Sequence, residues 1–277
     1  MKTFIQKCWG TPDSSRFPGP QPVSIERRHF PLLTQKPYFV CEKTDGVRHL
    51  LTSTEDGVSL VNRAFNVSKV QGVRIPKDTL LDGELVRTRT GKTLFLIFDA
   101  VCVKGENLME QPLNVRLEKA RGIVKGIIKT ASASFEVRVK TMFPLCDLGQ
   151  MPPLDSFEYE TDGLIFTPIN EPILTGTHET LFKWKPHDRI TIDFELKLGT
   201  DLYVQDRGIP YKEGLLHLRN QRKDLPDGTI VECGYGKLGW FVEKVRTDKT
   251  YANNRRTYFN TCTNLRERIL QSEFVGL

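Results

Sequence analysis

Short apolar runs, interrupted every few positions by turn residues, decide most of what this chain can become. They are YFVC (38–41), VRHLLTS (47–53), VSLVN (58–62), LLDGELV (80–86), LFLIFDAVCV (94–103), FEVRV (135–139), GLIFTP (163–168), LFKWK (181–185) and ITIDFELKL (190–198). Each is rich in β-branched or aromatic residues and too short for a packed helix, so each predicts a strand. One longer segment has helical spacing: across 112–129, Leu113, Leu117, Ala120, Val124, Ile127 and Ile128 fall on one face. From residue 193 the texture changes to shorter strands (TIDFELKLG, YVQD, LLHLRN, TIVECGY, LGWFVEKVR) separated by Gly, Pro and Asp turns. Such a segment suits a small β-barrel of the OB-fold kind. A last helix is predicted at 263–277, with Asn264 as N-cap, Glu267 as its capping-box partner and Leu265, Ile269, Leu270 and Phe274 along one side. The expected organisation is an α/β (α+β) domain over 1–192, a barrel over 193–262, and a final helix packing back on the first domain. Residues 11–37, rich in proline, glycine and charge, read as an extended lead-in with turns.

Composition excludes several classes. Hydrophobic residues make up 39% of the 277, too many for a disordered chain. The six cysteines stand singly with no CxxC pair, and the five histidines show no HxxxH spacing, which argues against zinc and thioredoxin-like chemistry. The longest apolar run, 94–103, is too short to span a bilayer and carries Asp99. No secretory leader is visible, so a soluble protein with reduced thiols and no membrane partner is expected. The formal charge of +6 is compatible with a polyanionic partner.

Five Asp-Gly pairs occur, at 45–46, 56–57, 82–83, 162–163 and 227–228. The pairs in STEDGVS and LPDGTI have polar or proline flanks and read as plain turns. The other three, in EKTDGVR, LLDGELV and ETDGLIF, adjoin apolar strand and bring charge to its end, where charge needs partners or ligands. Strand alternation would put Lys43 with Asp45, Asp82 with Glu84, and Lys183 with Lys185 on shared faces. Two lysines pointing together with Phe182 and Trp184 behind them suit a phosphate. Gly91-Lys92-Thr93 has the end of a P-loop, but Val86 stands where that motif needs glycine.

Taken in order, these segments resemble the covalent nucleotidyltransferases, the superfamily of mRNA capping guanylyltransferases and ATP-dependent DNA and RNA ligases. The nucleophile motif K-x-D-G matches Lys43-Thr44-Asp45-Gly46, followed by Arg48, and a second family arginine matches Arg63. The D-G-E motif matches Asp82-Gly83-Glu84, the aromatic-Asp motif Phe98-Asp99, the acidic motif Asp162-Gly163-Leu164-Ile165, and the two-lysine strand Lys183 and Lys185. The lead-in Phe17-Pro-Gly-Pro-Gln-Pro-Val23, Thr191-Ile-Asp-Phe194, and Arg246-Thr247-Asp248-Lys249 with Trp240 and Asn253-Asn254 around it resemble the capping branch. The likeness runs from residue 16 to about 260.

The resemblance implies a nucleotidyltransferase domain with antiparallel sheets followed by an OB-fold, and a stand-alone mRNA guanylyltransferase. Lys43 would take GMP from GTP and pass it to the 5′-diphosphate end of RNA. Lys183, Lys185, Asp162, Arg246, Asp248 and Lys249 would serve that chemistry. Thr44, Asp45, Gly46, Arg48, Arg63, Glu84, Phe98 and Lys140 would bind the nucleotide, with Glu84 and Arg48 at ribose, Phe98 on guanine, and Thr44 and Lys140 selecting it. Mg²⁺ or Mn²⁺ would be held by Asp162 and Glu84. Barrel closure about a hinge near 192–198 would gate the reaction. The partners implied are an RNA triphosphatase and the phosphorylated C-terminal tail of RNA polymerase II; the location is the nucleus for a cellular enzyme, otherwise a virus. The rival readings are an ATP-dependent RNA or DNA ligase and a catalytically silent RNA-binding scaffold.

Overall fold

In the computed structural model, residues 1–11, 16–130 and 132–277 are described; the part of the lead-in at 12–15 lies outside them. Every long apolar run except the barrel segment LLHLRN forms a strand. In the first part of the chain these are β1 (Tyr38–Thr44), β2 (Val47–Thr54), β3 (Gly57–Asn62), β4 (Thr79–Arg87), β5 (Thr93–Val103), β6 (Glu136–Val139), β7 (Thr161–Pro168) and β8 (Thr177–Trp184). The helices are α1 (Lys2–Cys8) and a short one at Phe30–Gln35, where an extended lead-in was expected, neither announced by the periodicity, and α2 (Leu113–Lys125).

Two sheets carry this unit. In one, β7 lies between β8 and β1, antiparallel to both. In the other the order is β6-β5-β4-β2-β3, antiparallel except where β6 runs parallel to β5. Alternation along β2 sends Leu51 to a core shared with α2 and Phe95, and Leu50 to a second core beneath α1 with Ile5 and Trp9. The sheet is therefore apolar on both faces and covered on both.

The Asp-Gly pairs sort as their flanks predict. Gly57 and Gly228 sit in open turns at φ of +94° and +88°, with nothing near a Cβ position. Gly46 and Gly83 have no positive φ; a Cβ would lie 2.4 Å from the Leu85 carbonyl at the first and 2.6 Å from the Phe95 ring at the second. Those two glycines answer to close strand approach rather than to a turn.

The second unit, Lys185–Glu273 with Ser24–Phe30, holds an antiparallel five-stranded sheet: β9 (Thr191–Lys197), β10 (Asp201–Asp206), β11 (Ile209–Leu215), β12 (Thr229–Gly236) and β13 (Gly239–Val245), in the order β11-β10-β9-β12-β13. A bridge between Leu216 and Trp240 brings the end of β11 to β13, as in a small barrel. LLHLRN, expected as a strand, is instead the end of β11, the bridging Leu216 and a 3₁₀ segment at Leu218–Asn220. The third barrel strand is Ile209–Leu215, whose Pro, Lys and Glu concealed it.

The last helix also departs from expectation. It is α3, Arg255–Glu267, capped by Asn254, whose side chain accepts from the Arg256 amide. Asn264 lies inside it and donates to the Ile25 carbonyl at 2.7 Å. Tyr258, Cys262 and Leu265, spaced at helical intervals, pack against the barrel core. The helix thus covers the barrel, and only the last four residues return to the first unit. There Phe274 is fully buried against Phe166 and Trp184, with ring centroids 4.7 and 5.8 Å away.

Candidate active site

The face of the β1–β7–β8 sheet that bears Cys41, Lys43, Ile165 and Leu181 floors a cleft. The cleft holds about 980 Å³, open solvent at its mouth included. Its walls include Pro20, Pro22, Thr44, Arg48, Arg63, Glu84, Phe98 and Lys140. Seven of the side chains singled out in the sequence therefore meet in one place, drawn from separate strands and loops.

Lys43 lies one residue before the end of β1, and its amine is 2.6 Å from Asp162 Oδ1. A β-bulge makes that contact: Thr161 pairs with Thr44 and Gly163 with Lys43, leaving Asp162 as the extra residue. Gly163, at φ +151°, supplies the backbone freedom the bulge requires. Asp45 does not share the face of Lys43, because β1 ends at Thr44; its amide donates to the Glu160 carbonyl at 2.9 Å. Lys183 pairs in register with Ile165 and so stands on the cleft-floor face. Lys185 lies beyond the strand end and belongs to the second unit.

Behind Lys43 is a buried polar network. The Lys140 ammonium donates to the Glu42 carbonyl at 2.9 Å and to Thr44 Oγ1 at 3.0 Å, and stands 3.3 Å from Glu42 Oε1. Thr44 in turn donates to Glu84. Tyr159 donates to Glu42 Oε1 at 3.0 Å. Burial lowers the affinity of Lys140 for its proton, but the charges of Glu42 and Glu84 and the bond to Glu42 outweigh it and move the ammonium above its usual range.

Arg48, expected at ribose, is also held from several sides by the protein. Its guanidinium grips Asp82 at 2.9 and 2.6 Å, donates to the Pro20 carbonyl at 2.6 Å, and lies between the rings of Phe17 and Phe98, 5.1 and 5.3 Å from their centroids. Gly19 is required there, since a Cβ would lie 2.4 Å from Arg48 Nη2. Asp82 and Glu84 thus part company at a register shift in β4, one buried under Arg48 and the other facing the cleft. Phe98 is half-exposed at the cleft wall rather than buried in a core. Arg63 is presented on a hairpin closed by Asn62 Oδ1, which accepts from the Ala64 and Asn66 amides.

Apart from Asp99 of the aromatic-Asp motif, sequence reasoning missed the inner end of the cleft. Asp99 and the buried Arg116 form a two-bond pair at 2.7 and 2.9 Å that ties β5 to α2. Glu171 accepts from Lys36 and Thr180, and His178 stands 3.2 Å from Thr180 Oγ1. Buried acids inside apolar strands were the available signal, since such groups need cationic partners. Burial keeps the His178 imidazole below the usual histidine range against the pull of Glu171. A group held neutral when folded binds protons more readily unfolded, so stability is expected to drop as pH falls below about 6.5. Thermal melts from about pH 7.5 to 5 should show a larger drop for the wild type than for His178→Gln. Parallel curves would remove His178 from the account.

In the second unit Arg246 bonds Asp248 at 2.8 and 2.7 Å, Asp193 at 3.0 Å and Glu232 at 3.4 Å. Lys249 reaches the other oxygen of Asp193. The Asp248 hydrogen bond and the nearby acids raise the Arg246 pKa. The acid of Thr191-Ile-Asp-Phe194 is therefore the anchor of the Arg246–Lys249 segment, 53 residues away in sequence from the arginine it binds.

Among the described residues no three His, Cys, Asp or Glu side chains converge as a metal cage. Glu84 is engaged by Thr44, and Asp162 is the carboxylate beside Lys43. Mg²⁺ is commonly held by one or two carboxylates plus substrate phosphates. Asp162 fits that role; Glu84, expected as a second ligand, faces the cleft with its carboxylate accepting from the Thr44 hydroxyl.

A solved mycobacterial DNA ligase D complexed with ATP and MES superposes with a TM-score of 0.50 at 12% identity, covering 84% of this chain and 96% of that one. That likeness shows the nucleotidyltransferase fold alone. Among curated proteins, the Schizosaccharomyces pombe mRNA-capping enzyme subunit alpha is 37% identical, covering 72% of this chain and 57% of the relative. The Yarrowia lipolytica mRNA-capping enzyme subunit alpha is 31% identical, covering 86% and 75%. The mRNA-capping enzyme of Danio rerio is 29% identical, covering 93% and 48%. The chain spans about half the length of several curated relatives it matches. The family model described as mRNA capping enzyme, catalytic domain, matches residues 1–187, and the one described as mRNA capping enzyme, C-terminal domain, matches 197–275. By fold, cleft and sequence together, the chain belongs to the mRNA capping enzyme family.

Proposed function

We propose that the chain is an mRNA guanylyltransferase working through a covalent lysyl-N-GMP intermediate. The observation that carries this is the Lys43–Asp162 pair, 2.6 Å apart, on the floor of a cleft lined by Phe98, Lys140, Thr44, Glu84 and Arg63. The Lys43 amine attacks the α-phosphorus of GTP, a P–N bond forms, and the bond to the β-phosphate oxygen breaks to release pyrophosphate. The amine gives up its proton in this step, and Asp162 is placed to accept it and to hold the amine in line. In the second step a β-phosphate oxygen of 5′-diphosphate RNA attacks the same phosphorus, the P–N bond breaks and the Lys43 amine leaves with the proton returned from Asp162, forming the GpppN cap.

Phe98 offers a ring face to guanine, and Lys140 and Thr44 its base edge. Arg63 and Glu84 serve ribose, while Arg48 acts by fixing Phe98 and the Pro20 wall. Lys183 and Lys185 neutralise α-phosphate charge. Arg246, Asp248 and Lys249 serve pyrophosphate release, which requires the two cations to exchange Asp193 for phosphate. A Mg²⁺ or Mn²⁺ ion at Asp162, when bound, would neutralise charge on the phosphates. The diphosphate substrate calls for an RNA triphosphatase, and the subunit alpha names of the relatives accord with a second subunit. A phosphorylated RNA polymerase II tail and a nuclear location belong to the same reading.

Incubation with α-labelled GTP or ATP and Mg²⁺ or Mn²⁺, followed by a denaturing gel, tests it. Acid-labile label from GTP alone is expected. Label from ATP alone would move the chain to the ligase reading, which the fold likeness also allows. No label from either would leave the scaffold.

A further inference from the structure

The Lys140 ammonium is the charged donor at the base end of the cleft, yet most of what holds it lies out of the cleft's reach. Lys140 is 5% exposed and Glu42 1%. Strand alternation puts Glu42 on the opposite face of β1 from Lys43, and neither Glu42 nor Tyr159 lines the cleft. One oxygen, Glu42 Oε1, serves both neighbours: Tyr159 donates to it at 3.0 Å and the Lys140 ammonium stands 3.3 Å away. From Lys140 the chain of bonds continues through the Thr44 hydroxyl to Glu84. With Lys140 donating to it, Thr44 can only send its own proton to Glu84.

We propose that Glu42 and Tyr159 are positioning residues that set the purine selectivity of the cleft by keeping the Lys140 ammonium charged and aimed. The proposal rests on the reading of the cleft as a guanine site. Guanine presents two acceptors, O6 and N7, where adenine presents a donor at N6. An ammonium has three donors and no acceptor, so by trading its Thr44 contact for the base it rewards the guanine edge and leaves the adenine amino group unpartnered. That discrimination holds only while the lysine keeps its proton in a buried setting, and the Glu42 carboxylate is the buried anion that keeps it. Tyr159 fixes that carboxylate. The same relay links the base end of the cleft to Glu84, so the two ends are coupled through one hydroxyl.

The test is binding of GTP and ATP by calorimetry without metal, in the wild type, Tyr159→Phe and Glu42→Gln, with covalent labelling in parallel. Tyr159→Phe keeps the ring packed on Phe157, 5.7 Å away, and removes only the hydroxyl, so it carries the test if Glu42→Gln does not fold. The expected result is a GTP affinity lower by about tenfold, one charged hydrogen bond's effect, with ATP affinity changed less than about twofold. The labelling KM for GTP should rise by a similar factor while kcat at saturation stays within about threefold, a split that general loosening of the fold would not produce. A GTP-over-ATP preference that survives in both folded variants overturns this proposal alone. A wild type without purine preference overturns the guanine reading and this proposal with it.

Discussion

Lys43→Ala is expected to yield a folded protein that takes up no label from GTP, a loss of at least about 10⁴-fold. No neighbouring group can replace a nucleophile whose P–N bond is the intermediate itself. Stability should hardly change. The Lys43 side chain is 22% exposed and that of Asp162 15%, so the carboxylate left behind still reaches water. Their pairing is worth about 1 kcal/mol or less in such a setting. The measurement is a denaturing gel after incubation with α-labelled GTP, with a thermal melt beside it. Label retained by the alanine variant would move the nucleophile elsewhere, with Lys183 on the same sheet face as the next amine to replace. Lys43→Arg makes the result sharper. It keeps the charge beside Asp162 but offers a guanidinium that does not deprotonate, so it should also fail to label.

Much of the cleft was legible because its residues announce themselves locally. Lys43, Glu84 and Phe98 end or interrupt apolar runs, where a charge or an exposed ring has no packing reason to be. The flanks of the Asp-Gly pairs separated the turn glycines from those in tight strand contact for the same reason. What the sequence hid was pairing over distance. Arg48 with Asp82, Arg116 with Asp99 and Arg246 with Asp193 join residues 34, 17 and 53 positions apart, and no periodicity reports such pairs. Arg48 lines the cleft as expected, but its grip on Asp82 was not visible in the sequence. The bulge at Asp162 was hidden too, because alternation counts one residue per step and a bulge adds one. Helix α3 was placed too late because Asn254 and Asn264 are equally good caps by composition; its true register shows in the packing of Tyr258, Cys262 and Leu265 against the barrel core.

Asp82→Ala is expected to cost more stability than any change at the cleft surface, about 3–5 kcal/mol in denaturant unfolding. The carboxylate is 1% exposed and takes two bonds from Arg48. Removing it strands a guanidinium that stays charged at any accessible pH, buried between Phe17 and Phe98. The reverse deletion should be milder. In Arg48→Ala the orphaned group is a carboxyl, which can escape its burial by taking a proton. Burial already pushes the Asp82 carboxyl up despite Arg48, and losing the arginine pushes it further. An acid whose folded pKa lies above its unfolded value destabilises the fold above that pKa, and the loss is recovered as pH falls through it. Arg48→Ala should therefore approach wild-type stability on acidification, while Asp82→Ala should not. Equal losses with the same pH course would mean that the pair matters for shape alone. A second readout separates the clamp from general instability. Arg48 also holds the Pro20 carbonyl and one face of Phe98, so GTP affinity in Asp82→Ala should fall even at temperatures where the variant remains fully folded.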